Sequence, residues 1–233
     1  GYGEASADEW ERALLAAYGD TCRQTTASTV AFSVHPEPYG AGRQGADANA
    51  VPHALVRYVP IASLLDGTLY GYEAVPAETS TGRRLDPEAY FADAEREGRL
   101  FDADRQFREA AIRGLPSAFR GVKLFLPVPA RVIYDPRLYP GSTLRRIEAA
   151  GLRPDHVVLV LTGGADADGG ALKAALRHYR AQGFRVSMPP IQPDRGGLRR
   201  MVELHPDYVR FRVRWMETDA PGSVDERLLQ AAV

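Results

Sequence analysis

Cysteine, lysine, net charge and long apolar runs are what this 233-residue sequence has least of. Cys22 stands alone, so no internal disulfide can staple the fold, and a reducing compartment, the cytoplasm, is the expected setting. Lys123 and Lys173 are the only lysines among 29 basic residues. With so many Ala, Gly and Pro alongside, the arginine excess reads as a coding bias rather than as an anion-binding surface. The net charge of −1 provides no global field for nucleic acid. No apolar run reaches the roughly 18 residues of a spanning helix, so no membrane contact is expected of this segment. The acidic, polar first residues do not read as a signal peptide. His35, His53, His156, His178 and His205 show no metal-ligand spacing, and no metal or cofactor is expected.

What remains is an ordinary globular composition, 45% hydrophobic and 25% charged, in a chain long enough to bury its own core. The charge is unevenly spread. Residues 1–50 hold seven acids against Arg12, Arg23 and Arg43, while residues 195–214 hold six arginines against Glu203 and Asp207. The two ends are therefore expected to attract each other, within or between chains.

Ser6 to Glu9 forms a capping box, followed by Trp10, Leu14 and Tyr18 at helical spacing, with Gly19 as the stop. This acidic helix is a candidate partner surface. A short strand is expected over 29–34. Residues 35–53 are rich in Pro, Gly, Asn and Asp and read as a linker, which places an N-terminal arm at 1–53 and a main domain at 54–233. Strands over 54–61 and 69–75 flank an Asp66-Gly67 hairpin turn. Asp86-Pro87 opens a helix as N-cap and N1, and a second helix is expected over 102–113. Strands over 122–128, 156–161, 184–188 and 208–213 then alternate with helices over 142–150, 171–182 and 197–204, and a last capping box begins at Ser223. Alternation of this kind predicts an α/β fold with a parallel sheet, open or closed into a barrel.

In such folds chemistry sits at the C-terminal ends of the strands. There the sequence carries Tyr58-Val59-Pro60-Ile61, Gly71-Tyr72-Glu73-Ala74-Val75, Lys123-Leu124-Phe125-Leu126-Pro127-Val128 and Gly151-Leu152-Arg153-Pro154. Gly183-Phe184-Arg185-Val186 and Leu204-His205-Pro206-Asp207-Tyr208-Val209-Arg210 follow. Over about 54–215 these segments resemble, in order and almost without gaps, the EAL domain, the bacterial cyclic di-GMP phosphodiesterase family. The resemblance implies a (β/α)8-type barrel with an antiparallel first strand. It also implies hydrolysis of a phosphodiester with Mg2+ or Mn2+ held by carboxylates, since hard cations demand oxygen ligands.

The implied roles carry over poorly. The Glu of the family triplet is present as Glu73. The ligand Asn is replaced by Pro127, the next Glu by Val160, and its partner Glu by Gly163. The paired aspartates are replaced by Pro189-Pro190 and the catalytic Lys by Arg210. The substrate-binding Gln and Arg are replaced by Val59 and Ala77. One carboxylate cannot hold two divalent ions, so the expectation is a degenerate domain with no enzymatic activity. It would regulate bacterial signalling through a protein partner or as a homodimer, and cyclic di-GMP is not its expected ligand.

Tyr208, Arg210, Arg212 and Arg214 alternate with Val209, Phe211 and Val213, which aims the arginines into the barrel. Buried cations need counter-charges, so they are expected to pair with Glu73 and Asp104. The alternative function is a metal-independent receptor for a nucleotide or other anion, with Glu73, Asp104, Arg210 and Arg212 as its pocket. A third reading is a residual enzyme with relocated ligands at Asp166, Asp168 and Asp194. Finally, the 180 residues from 54 onward fall short of the ~250 typical of such barrels. The family's last two strands have no counterpart after Arg214. The barrel is therefore expected to be incomplete or modified at its C-terminal strands, and closed by the 29–34 strand, the first helix or a second chain.

Overall fold

A computed structural model describes residues 31–32, 55–63, 68–115, 121–163, 169–191 and 195–210. The helix at Trp10, Leu14 and Tyr18, the Asp66-Gly67 turn, Asp166, Asp168, Asp194, Arg212 and the capping box at Ser223 lie outside these residues.

Among the described residues six strands form one sheet in chain order: β1 (Ala31–Phe32), β2 (Leu55–Ser63), β3 (Leu69–Ala77), β4 (Lys123–Pro129), β5 (Val157–Thr162) and β6 (Arg185–Ser187). β2 runs antiparallel to both of its neighbours, β1 and β3, and β3 to β6 are parallel. The fold is thus mixed α/β with an antiparallel entry, as expected. The short strand expected over 29–34 exists as β1 and pairs with β2. The last expected strand, over 208–213, is reduced within the described residues to a single parallel bridge between Tyr208 and Ser187.

Among the described residues five α-helices accompany the strands: α1 (Pro87–Arg96), α2 (Leu100–Arg113), α3 (Ser142–Ala149), α4 (Gly169–Arg180) and α5 (Arg195–Leu204). At the start of α1 the Asp86 carboxylate accepts a hydrogen bond from the Glu88 N–H at 3.2 Å, and Pro87 supplies the preset φ of the first turn. The second helix begins two residues before the expected Asp102. Asp102 instead sits in its first turn, where a negative charge meets the positive end of the helix dipole. None of the described helices is long and apolar enough to cross a membrane.

The two faces of the sheet are sorted by strand periodicity. Ala74, Leu124, Leu126, Val128, Val157, Leu159 and Leu161 join Phe107, Ile147, Leu172 and Leu176 of the helices in the main core. Every residue of β5 is buried, which is why its apolar run is unbroken. The opposite, inner face carries a smaller cluster of Ile61, Phe125, Val158 and Val160.

A bulge adjusts that inner face. Ile61 pairs with Gly71 and Ala62 with Leu69, so Tyr70 is an extra residue in β3. By simple alternation Tyr70 would share the face of Tyr72. The bulge turns it instead towards Phe125. Gly71 is required beside it, because a Cβ there would run into the Lys123 carbonyl of the neighbouring strand.

Candidate functional site

The inner face is where the strand-end chemistry of this architecture belongs, and β3 delivers one acid to it. Glu73 is 1% exposed and lies opposite Val59 in the β2–β3 register. Its carboxylate is held by Arg210 through two contacts: Nη1 to Oε1 at 2.8 Å and Nη2 to Oε2 at 2.9 Å. Two parallel charge-assisted hydrogen bonds use both carboxylate oxygens in the geometry arginine favours. The expected pairing of Glu73 with an arginine of the 208–213 segment is therefore observed.

Backbone contacts place that arginine. The Met188 N–H donates to the Tyr208 carbonyl at 3.3 Å, and the Ile191 N–H donates to the Arg210 carbonyl at 2.8 Å. The segment after α5 thereby runs alongside the residues following β6. Tyr208 packs edge-on against Phe125, with ring centroids 5.4 Å apart, and its hydroxyl lies 2.8 Å from that of Tyr70. Burial, then the Tyr70 hydroxyl, pushes the Tyr208 phenol well above its usual range.

Two of the replaced positions, Pro127 and Val160, are brought together by the sheet. Pro127 is the register partner of Val160, and Val160 of Ser187, so the three form one row across β4, β5 and β6. Pro127, Val160, Ser187 and Pro189 are buried. Val59 and Ala77 are each 5% exposed. Gly163, just past β5, donates its N–H to the Glu88 carboxylate at 2.8 Å. Where the resemblance implies carboxylates and an amide, the row offers aliphatic and pyrrolidine carbons and one hydroxyl.

Asp104 is not part of this constellation. The expectation that it shares a pocket with Glu73 and Arg210 is corrected, because the register of α2 turns it towards α3 and α4. There it is fully buried and forms an ion pair with Arg108, one helical turn further on. Arg108 also donates to the Thr143 hydroxyl at 2.6 Å and interacts with Tyr179. Burial pushes the Asp104 carboxyl up to about 6, against the opposing pull of Arg108. The sequence reading missed Arg108 and Thr143. The signal was present: Asp104 and Arg108 lie four residues apart on the stripe that carries Phe107 and Ala111 into the core.

The divalent ions implied by the resemblance do not fit this site. Both Glu73 oxygens are occupied by a guanidinium, and the neighbouring replaced positions carry no carboxylate. Among the described residues no group of three His, Cys, Asp or Glu side chains could hold a metal ion. What the arrangement does is fasten the segment after α5 across the sheet to β3.

Comparisons with known proteins identify the family and the fold. The family model described as EAL domain matches residues 47–233. No curated protein matches the chain. Among solved structures, a standalone versatile EAL protein from Vibrio cholerae in its cyclic di-GMP bound form is 17% identical with a TM-score of 0.60. The match covers 76% of this chain and 73% of that one. The Bacillus subtilis YkuI protein, solved with substrate cyclic di-GMP and calcium, is 21% identical with a TM-score of 0.56. That match covers 72% of this chain but only 43% of YkuI, so this chain spans less than half of that protein. The Xanthomonas citri FimX EAL domain in complex with cyclic di-GMP is 20% identical with a TM-score of 0.54, covering 68% of this chain and 63% of that one.

Proposed function

The chain belongs to the EAL domain family, and on that premise we propose that it is a catalytically inactive EAL domain that acts through protein–protein contacts in bacterial cyclic di-GMP signalling, in the cytoplasm. The main domain begins near residue 54, with 1–53 as an arm. One observation carries the reading. The single acid retained at the strand ends, Glu73, is neutralised by Arg210 with both oxygens engaged.

The family default is the opposite. YkuI was solved with cyclic di-GMP as substrate together with calcium, which points to enzymes rather than non-enzymes among relatives. Against that default stand the side chains. Hydrolysis by a metal-activated water requires oxygen donors that fix the ions. Pro127, Val160 and Pro189 have none, and Arg210 engages both oxygens of Glu73. Incubation of the full chain with cyclic di-GMP and Mg2+ or Mn2+ tests this reading, and hydrolysis above the protein-free control would sink it.

The second reading is a metal-independent receptor for cyclic di-GMP or another anion. It draws on the cyclic di-GMP bound in neighbours and on the 28% exposure of the Arg210 side chain, which leaves that cation reachable. It would require the ligand to compete with Glu73 for the guanidinium. Calorimetry with cyclic di-GMP, other cyclic dinucleotides and mononucleotides decides it, and absence of binding below about millimolar removes it.

A further inference from the structure

Elsewhere on the described surface arginines meet acids in balanced pairs, as Arg131 does with Glu95 and Arg153 with Asp155. The outer face of α4 breaks that balance. α4 has no acidic residue and buries Ala171, Leu172, Ala175, Leu176 and Tyr179. Lys173, Arg177 and Arg180 are exposed at i, i+4 and i+7, which makes them one stripe along the helix. Two acids border the stripe, and both are already engaged. Asp207 bonds Arg180 at 3.0 Å and Arg185 at 3.1 Å, and Glu203 of α5 bonds Arg199 at 2.8 Å. Among the described residues this leaves Lys173 and Arg177 without an ion pair of their own. Glu203 also feels Lys173 and Arg200, which draws α5 into the same patch. Val202 of α5, 61% exposed, adds an apolar side chain next to Glu203.

The chemistry of the patch selects its occupant. A ladder of cations at helical spacing is matched by carboxylates at the same spacing on a helix lying along α4, and arginine binds carboxylates with two parallel hydrogen bonds. A continuous phosphate backbone would meet Glu203 and Asp207 inside the patch and leave Val202 without an apolar partner. A membrane surface needs a broad apolar face to enter, and one valine does not supply it. We infer that the α4 stripe, with Arg199 and Val202 beside it, docks an acidic amphipathic helix of a different protein, in which carboxylates meet Lys173 and Arg177 and an apolar residue meets Val202. This gives the partner of the protein-contact reading its chemistry and rests on that reading. The hydrolysis assay tests that reading by itself, since an inactive chain that ignores acidic helices overturns only the partner.

The test is fluorescence anisotropy on the full chain, with a labelled synthetic helical peptide as probe. The peptide carries Glu at i, i+4 and i+7 on one stripe and Leu on the adjoining one. It should bind, and its affinity should fall by roughly tenfold or more at about 0.5 M salt, where exposed charges are screened. Lys173→Glu with Arg177→Glu should weaken binding by at least about tenfold and instead bind the same peptide with Lys in place of Glu. Val202→Ser should weaken it by about threefold, and Arg153→Glu, outside the patch, should leave it unchanged. Circular dichroism checks that every variant is folded. Absence of binding below about 1 mM overturns the inference, as does an unchanged affinity in the Lys173/Arg177 variant or in Val202→Ser. It is equally overturned if duplex DNA or anionic vesicles bind the wild-type chain as tightly as the peptide does. Sedimentation velocity closes the remaining route: self-association that Lys173→Glu with Arg177→Glu abolishes would assign the face to a second copy and overturn the inference.

Discussion

Arg210 reaches Glu73 across 137 residues of sequence and closes on it with two parallel contacts of 2.8 and 2.9 Å. The pair is asymmetric in burial: the Glu73 side chain is 2% exposed and that of Arg210 28%. Removing either partner takes the two-point contact from the other, and Arg210 is the more exposed of the two.

That asymmetry makes the first prediction. Arg210→Met removes the two-point contact to a buried carboxylate and should cost about 3–5 kcal/mol, the range for breaking a buried pair. Glu73→Gln keeps a hydrogen-bonding side chain opposite a half-solvated guanidinium and should cost less, about 1–3 kcal/mol. Urea unfolding of both variants and of the double variant measures this. Equal costs for the two single variants would mean that the pair is solvated from both sides.

A second prediction concerns the tyrosine hydroxyls of Tyr70 and Tyr208, 2.8 Å apart. Either Tyr→Phe variant alone should lose about 0.5–1.5 kcal/mol, while the double variant should recover much of the loss, because two apolar rings leave no polar atom unsatisfied. The same unfolding experiment reads the coupling, and strict additivity would contradict it.

The third follows from Asp104. Its carboxyl is raised by burial from 3.8 to about 6 in the folded chain, so the native state holds a proton that the unfolded state releases between those values. The resulting stability is fully present below about pH 4 and is lost as pH rises through about 6, by up to about 3 kcal/mol. His178 acts with the opposite sign. Burial and then Arg108 lower its pKa, so its contribution is lost as pH falls below the ordinary histidine value. Asp104→Asn should abolish the loss between pH 4 and 6 and keep the His178 limb. Identical pH dependence in the two proteins would refute this.

The fourth concerns Gly71. Gly71→Ala places a methyl group against the Lys123 carbonyl, a backbone atom that cannot move aside without parting β3 from β4. A loss of at least about 2 kcal/mol is expected by thermal unfolding, in the range of overpacking costs. A neutral substitution would mean that the bulge yields.

How much was legible beforehand depends on the range of the signal. β5 and α1 announced themselves locally, one by an unbroken apolar run and the other by Asp86-Pro87. The Arg210 orientation followed from two-residue alternation, and its partner from the need to neutralise a buried cation. The extra residue at Tyr70 was invisible, because a bulge is fixed by the partner strand's register rather than by β3's own residues. Asp104 was misplaced for a related reason: helical phase decides which neighbour a side chain meets, and its phase points it at Arg108 and Thr143. Arg212, assigned to the same pocket, lies outside the described residues.

The most direct measurement of the central claim is product analysis after incubating the full chain with cyclic di-GMP and Mg2+ or Mn2+, beside Glu73→Ala and Arg210→Lys. The account predicts no linear dinucleotide above the protein-free control for any of the three. Hydrolysis by the wild-type chain that disappears in Glu73→Ala would contradict it.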